Sequence, residues 1–131
     1  MEYLNVLVAA IASYVLGAVW YMVLAKPWMA ATGIKADANG RPESGMGPLT
    51  YLLAFLAALM VAGMMRHMYA MANIITLTKG LISGLGIGFF VASPWIMINN
   101  AFGGRPFKLT LIDGGYASFG CGLIGLVLTL F

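Results

Sequence analysis

The chain has 131 residues, of which 62% are hydrophobic and 8% charged. A soluble domain carries about 25% charged residues, and this chain could not cover a globule's surface with so few, so an integral membrane protein is expected. A formal net charge of +3, scattered along the chain, also excludes the clustered basic face of a nucleic-acid binder.

The first apolar run covers 3–25. At about 1.5 Å per residue it is long enough for a hydrocarbon core of about 30 Å. Val23-Leu24-Ala25 looks like the small-residue end of a signal peptide. However, Glu2 stands where a basic region belongs, and Trp20 and Tyr21 sit where cleavage needs small residues. A retained span is therefore expected. Trp20, Tyr21 and Trp28 form an aromatic belt at one interface, with Lys26 reaching the headgroups. Pro27 falls at or just beyond the helix end.

Residues 26–47 make one polar connection, rich in Gly, Pro, Asn, Asp and Ser. It is too short for a second domain, so 1–131 is expected to be a single four-span unit. A single-turn interfacial helix is expected at Trp28 to Ala31.

The second run covers 48–69, with Pro48 suited to a first helical turn. Ala54, Ala58 and Ala62 make a small-residue stripe, and Met60, Met64 and Met68 make another stripe beside His67. A turn follows at 71–75, with Thr76 or Thr78 placed to cap the next helix.

The third run covers 77–101. Gly80, Gly84 and Gly88 recur every fourth residue, the spacing that lets two helix backbones approach closely. Pro94 should kink this helix. After Gly103-Gly104-Arg105-Pro106 the fourth run covers 109–131. Gly114, Ser118 and Gly122 form one small-residue stripe, and Ala117, Cys121 and Gly125 form a second. The first run has its own stripe in Ala9, Ser13 and Gly17. The sequence ends at Phe131 without a polar tail, and its carboxylate is expected at the headgroup level. The fold class is all-α: an integral membrane four-helix bundle. The surplus stripes on the second and fourth runs point to contacts beyond one bundle, either a homo-oligomer or a larger membrane protein complex.

Four spans put both termini on one side. Lys26, Lys35, Arg41, Arg105 and Lys108 lie on the other side, and only Arg66 and Lys79 share the side of the termini. The positive-inside rule puts the connection and the Arg105 turn in the cytoplasm and both termini outside.

Asp113 is the only acidic residue inside an apolar run. A carboxylate there is costly unless paired or neutral. One reading is a proton or cation site. The other is a shallow anchor paired with Arg105 or Lys108 and favoured by the helix dipole. The methionine stripe with His67 has the soft ligand types of a copper(I) site, but methionine also fills gaps in helix packing. Arg105, Lys108, Lys26 and Lys35 can hold anionic lipid headgroups or serve as topological anchors. The single cysteine, Cys121, makes no internal disulfide. No catalytic constellation, metal-ligand cluster or cofactor motif stands out: Gly84-x-Gly86-x-Gly88 lacks the strand context of a phosphate loop.

Two stretches resemble a known family. Gly17-Ala18-Val19-Trp20-Tyr21, followed by Lys26-Pro27-Trp28-Met29, is similar to the end of the first helix in the bacterial membrane family catalogued as domain of unknown function 1761. Phe102 to Tyr116 is similar to its second signature, through Gly104-Arg105-Pro106, Lys108-Leu109 and Leu111-Ile112-Asp113-x-Gly115-Tyr116. Leu24-Ala25 departs from the Phe-Gly usual there. The resemblance implies one domain of four helices and supplies no activity.

The expectation is therefore a multi-pass protein of the bacterial cytoplasmic membrane with membrane lipid as its surroundings. Its expected role is that of a non-enzymatic structural or accessory subunit, without a cofactor, packing through small-residue faces. Trp20, Tyr21, Trp28, Arg105, Lys108 and Asp113 are the candidate motif residues. The alternative is a small oligomeric transporter or channel using Asp113.

Overall fold

An apolar segment of about twenty residues satisfies its backbone polar groups internally only as a helix. In the computed structural model, which describes residues 3–35, 38 and 47–131, all regular structure is helical. The order is α1 (Leu4–Val23), α2 (Ala25–Thr32), α3 (Pro48–Ala72), α4 (Leu77–Ile87), a π turn (Gly88–Ala92), α5 (Ser93–Phe102) and α6 (Phe107–Leu128). Four stretches are long and apolar enough to cross a membrane: α1, α3, the continuous rod Leu77–Phe102 and α6. The expected all-α, four-helix architecture is present, with ends displaced by a few residues. Residues 36–37 and 39–46 of the polar connection, Arg41 among them, lie outside the described residues.

Helix α6 is the centre. Of its most apolar stretch 56% is buried, against 11–17% in the other three. The α4–α5 rod packs antiparallel along it in constant register. A Cβ on Gly80 would strike Gly125 O and Thr129, one on Gly84 the Cys121 carbonyl, and one on Gly88 the Ala117 carbonyl. Apart from the Thr129 side chain these neighbours are backbone that cannot move aside, so only hydrogen on Cα permits the approach. Gly122 receives Leu85, while Gly114 lies against Ser93. Both small-residue stripes of α6 are thus consumed inside the chain. They do not supply the surplus face expected for an outside partner.

Helix α1 packs on another face of α6, using the Ala9, Ser13 and Gly17 stripe, all three buried. Helix α3 closes the core: its Ala62, Met65 and Tyr69 cluster with Ala9, Ala10, Cys121, Ile124, Val127 and Leu128. The Tyr69 hydroxyl donates to Gly80 O at 2.6 Å, tying α3 to the start of the rod. Ala62 is buried on this face, while Ala54 at the other end of its stripe is exposed. Met60, Met64 and Met68 point outward, at 76%, 59% and 38% exposure. They do not fill gaps in the bundle; Met65 does.

Local chemistry explains the breaks. Pro27 lacks an N–H and is tolerated only in a first turn. The chain accordingly leaves α1 at Leu24 and restarts as α2, which is longer than the single turn expected. Pro94 makes a similar demand. The rod accommodates it by a π turn, in which the Ser93 N–H reaches back to Gly88 O, so the expected disturbance is spread over the preceding turn. Thr76 caps α4 by accepting from Lys79 N at 3.2 Å. The α5–α6 turn is a Schellman motif. Gly104 N–H donates to Ala101 O and Arg105 N–H to Asn100 O, with Gly104 at φ +69, a conformation that glycine adopts without penalty.

Candidate functional site

The two stretches that carry the family resemblance are far apart in sequence, and the fold brings them together. Antiparallel packing sets the last turn of α1 beside the second and third turns of α6. Trp20 and Tyr21 are neighbours on α1, and their side chains take separate routes. Trp20 Nε1 donates to Ile112 O at 3.0 Å. The Tyr21 hydroxyl donates to Asp113 Oδ1 at 2.6 Å.

The space for these rings comes from glycine. A Cβ on Gly115 would lie 2.8 Å from Trp20 Cζ2, and one on Gly17 would lie 2.7 Å from the Tyr116 hydroxyl oxygen. Tyr116 in turn donates to Ser13 O at 2.9 Å. Tyr21 meets Tyr116 edge-on at 5.5 Å and Trp28 at 6.1 Å between ring centroids. Trp20 leans on Phe119 at 5.8 Å. The edge-on arrangements are the favoured geometry for aromatic pairs. Helix α2 folds back against α6, so Trp28 closes one side of the cluster.

Asp113 is half-buried. It sits six residues after Phe107, about 9 Å along the axis at the usual helical rise. Its protein partner is Tyr21. Arg105 and Lys108 are exposed, and among the described residues neither comes within the 4.0 Å of an ion pair with Asp113. The expected pairing with these cations is therefore replaced by a tyrosine hydroxyl. Of the candidate motif residues, the structure joins Trp20, Tyr21, Trp28 and Asp113, and leaves Arg105 and Lys108 on the rim.

Two further polar side chains reach α6 from the rod. Ser93 Oγ donates to Gly88 O at 2.8 Å and Gly114 O at 2.9 Å, and lies 3.2 Å from Ser118 Oγ. Asn100 Nδ2 donates to Thr110 Oγ1 at 3.2 Å, fastening the α5–α6 turn. At the opposite end Asn5 Nδ2 donates to Phe131 O at 3.3 Å, while Asn5 Oδ1 accepts from Arg66 Nε at 3.2 Å. Asn5, Ser93 and Thr110 belong to no motif that the sequence makes visible. Each is a polar residue inside an apolar helix, and that is the one signal available for it. Among the described residues every buried side-chain nitrogen and oxygen has a partner. No group of three His, Cys, Asp or Glu side chains comes together among them. His67 lies exposed beside the methionine stripe.

Four apolar helices hydrogen-bonded to one another through sparse polar side chains are the pattern of a multi-pass membrane protein. The chain belongs to the family described as Protein of unknown function (DUF1761), whose model matches residues 4–129. No curated protein and no solved structure matches it.

Proposed function

We propose that this protein is a non-enzymatic structural or accessory subunit of the bacterial cytoplasmic membrane, with the Arg105 turn in the cytoplasm and both termini outside. The observation that carries the reading is the state of Asp113. Its carboxylate takes the Tyr21 hydroxyl at 2.6 Å, inside a joint that also locks Trp20 to Ile112 O. A carboxylate used to close helix packing serves the fold, and the same holds for Ser93, Asn100 and Tyr116. The small-residue faces hold this chain's own helices together, which leaves the outer faces of α3 and the α4–α5 rod for a second copy or a larger membrane complex.

The test is purification of the Asp113→Asn variant in mild detergent beside wild type. Asparagine keeps an acceptor for Tyr21, so the variant should fold and retain the same assembly. Loss of the assembly in a folded variant would refute a purely architectural Asp113.

A second reading has its own observation. Asp113 lies in an apolar helix without an ion pair among the described residues, and such carboxylates mark proton and cation pathways. A small oligomeric transporter or channel would use it so. Reconstituted wild type would then carry a proton or cation flux that Asp113→Asn abolishes.

A further inference from the structure

Among the described residues, one rim of the bundle carries a group of four basic side chains. Lys26 on α2, Lys35 just after it, Arg105 in the α5–α6 turn and Lys108 in the first turn of α6 all lie at this end, and all four are exposed. Among the described residues none of the four makes an ion pair. They gather at one end of the molecule because α2 folds onto α6 and the Tyr21–Trp28 contact holds it there. The other rim differs. Its Arg66 is engaged by Asn5, and Lys79 lies in the first turn of α4.

Arg105 and Lys108 bracket the start of α6. The Schellman hydrogen bonds fix the Arg105 backbone, and Pro106 then fixes the direction of entry. No side chain caps α6, and no acidic residue lies in its first turn. A cap or an acid is the usual partner for the positive end of a helix. Here two cations stand beside it instead, and the nearest described carboxylate, Asp113, lies in the second turn, where it feels Arg105 at a distance beyond ion-pair contact. The ring cluster of Trp20, Tyr21 and Trp28 lies just inside this rim, at the level where aromatic side chains meet headgroups.

We propose that this rim is a binding surface for the headgroup of an anionic phospholipid, with Arg105 and Lys108 as its two principal contacts. The proposal rests on the reading that the four apolar helices cross a bilayer, since only then does a headgroup phosphate meet this rim. Topological anchoring alone would make the cations interchangeable and indifferent to headgroup charge. A binding surface makes Arg105 and Lys108 special, and gives a preference for anionic over zwitterionic lipid. Each basic side chain near a membrane surface contributes about fivefold in affinity, so losing both reduces the preference by up to about thirtyfold.

The experiment uses the full chain in an uncharged detergent with phosphatidylglycerol and phosphatidylcholine at equal mole fraction. Bound lipid is counted by native mass spectrometry. Wild type should hold phosphatidylglycerol in clear excess, and the excess should shrink as salt rises. The Lys79→Gln variant, altered on the other rim, should behave as wild type, while Arg105→Gln with Lys108→Gln should lose most of the preference for phosphatidylglycerol. Equal binding by wild type overturns the proposal, as does an undiminished preference in the double variant. Displacement of phosphatidylglycerol by millimolar inorganic phosphate alone would overturn the assignment to a lipid headgroup. Should the double variant not fold, the wild-type ratio and its salt dependence decide. An alkaline carbonate wash of native membranes separates the two claims. Release of the protein refutes the membrane reading itself, whereas retention with equal lipid binding refutes only the headgroup surface.

Discussion

Tyr21 and Asp113 are 92 positions apart in the chain, and their oxygen atoms are 2.6 Å apart in the fold. The bond crosses from α1 to α6 and fastens the last turn of one to the second turn of the other. Interhelical hydrogen bonds in membrane proteins contribute about 0.6 kcal/mol on average and up to about 1.7 kcal/mol. Tyr21→Phe and Asp113→Ala should each destabilise the protein by about that upper value, and the double variant by less than their sum. Asp113→Asn keeps an acceptor and should cost less than Asp113→Ala. Thermal unfolding of the four variants in one detergent checks all three statements; additive losses would show that the two side chains act independently.

The glycine stripe of the rod offers a test with a built-in control. Alanine at Gly84 or Gly88 would drive a methyl group into the α6 backbone, and such overpacking costs about 1–3 kcal/mol. Gly86 lies on the same helix, and a methyl group added there would have no atom within 4 Å. Gly86→Ala should therefore be neutral or slightly stabilising. If Gly84→Ala and Gly86→Ala unfold at the same temperature, α4 and α6 do not touch as described.

The turn before α6 depends on one backbone angle. Gly104 has φ +69, and an L side chain in that region costs about 1–2 kcal/mol. Gly104→Ala should lower stability by that amount, measured by the same thermal unfolding. Gly103, whose φ is −77, should tolerate alanine better.

Much of this fold is legible in the sequence because hydrophobic length and small-residue spacing speak directly. Gly80, Gly84 and Gly88 announce a close helix contact, and Thr76 announces a cap. What the spacing does not tell is the partner. Two adjacent stripes on α6 read as more small-residue surface than one bundle needs, yet both receive the rod. Asp113 is visible as the odd residue in an apolar run. Its neighbours in sequence, Arg105 and Lys108, suggest themselves as partners, while the true one lies on a different helix. Pairings between distant helices depend on register and rotation, which a single sequence does not encode in any local pattern. Met60, Met64 and Met68 show the same limit: a stripe is visible, but which way it faces is not.

Orientation can be read from labelling. With Cys121 replaced by serine, an Arg105→Cys variant should react with a membrane-impermeant thiol reagent only after cells are opened. Labelling of intact cells would put the Arg105 turn outside and reverse the topology.

On the proposed reading this protein is a subunit whose polar groups serve packing. The most direct test is the mass of the intact particle purified in mild detergent at native expression, together with the identity and stoichiometry of whatever accompanies it. A defined assembly is expected, either several copies of this chain or a stoichiometric larger complex, unchanged in Asp113→Asn. A lone monomer, or an oligomer whose reconstituted proton or cation flux disappears in Asp113→Asn, would contradict that reading.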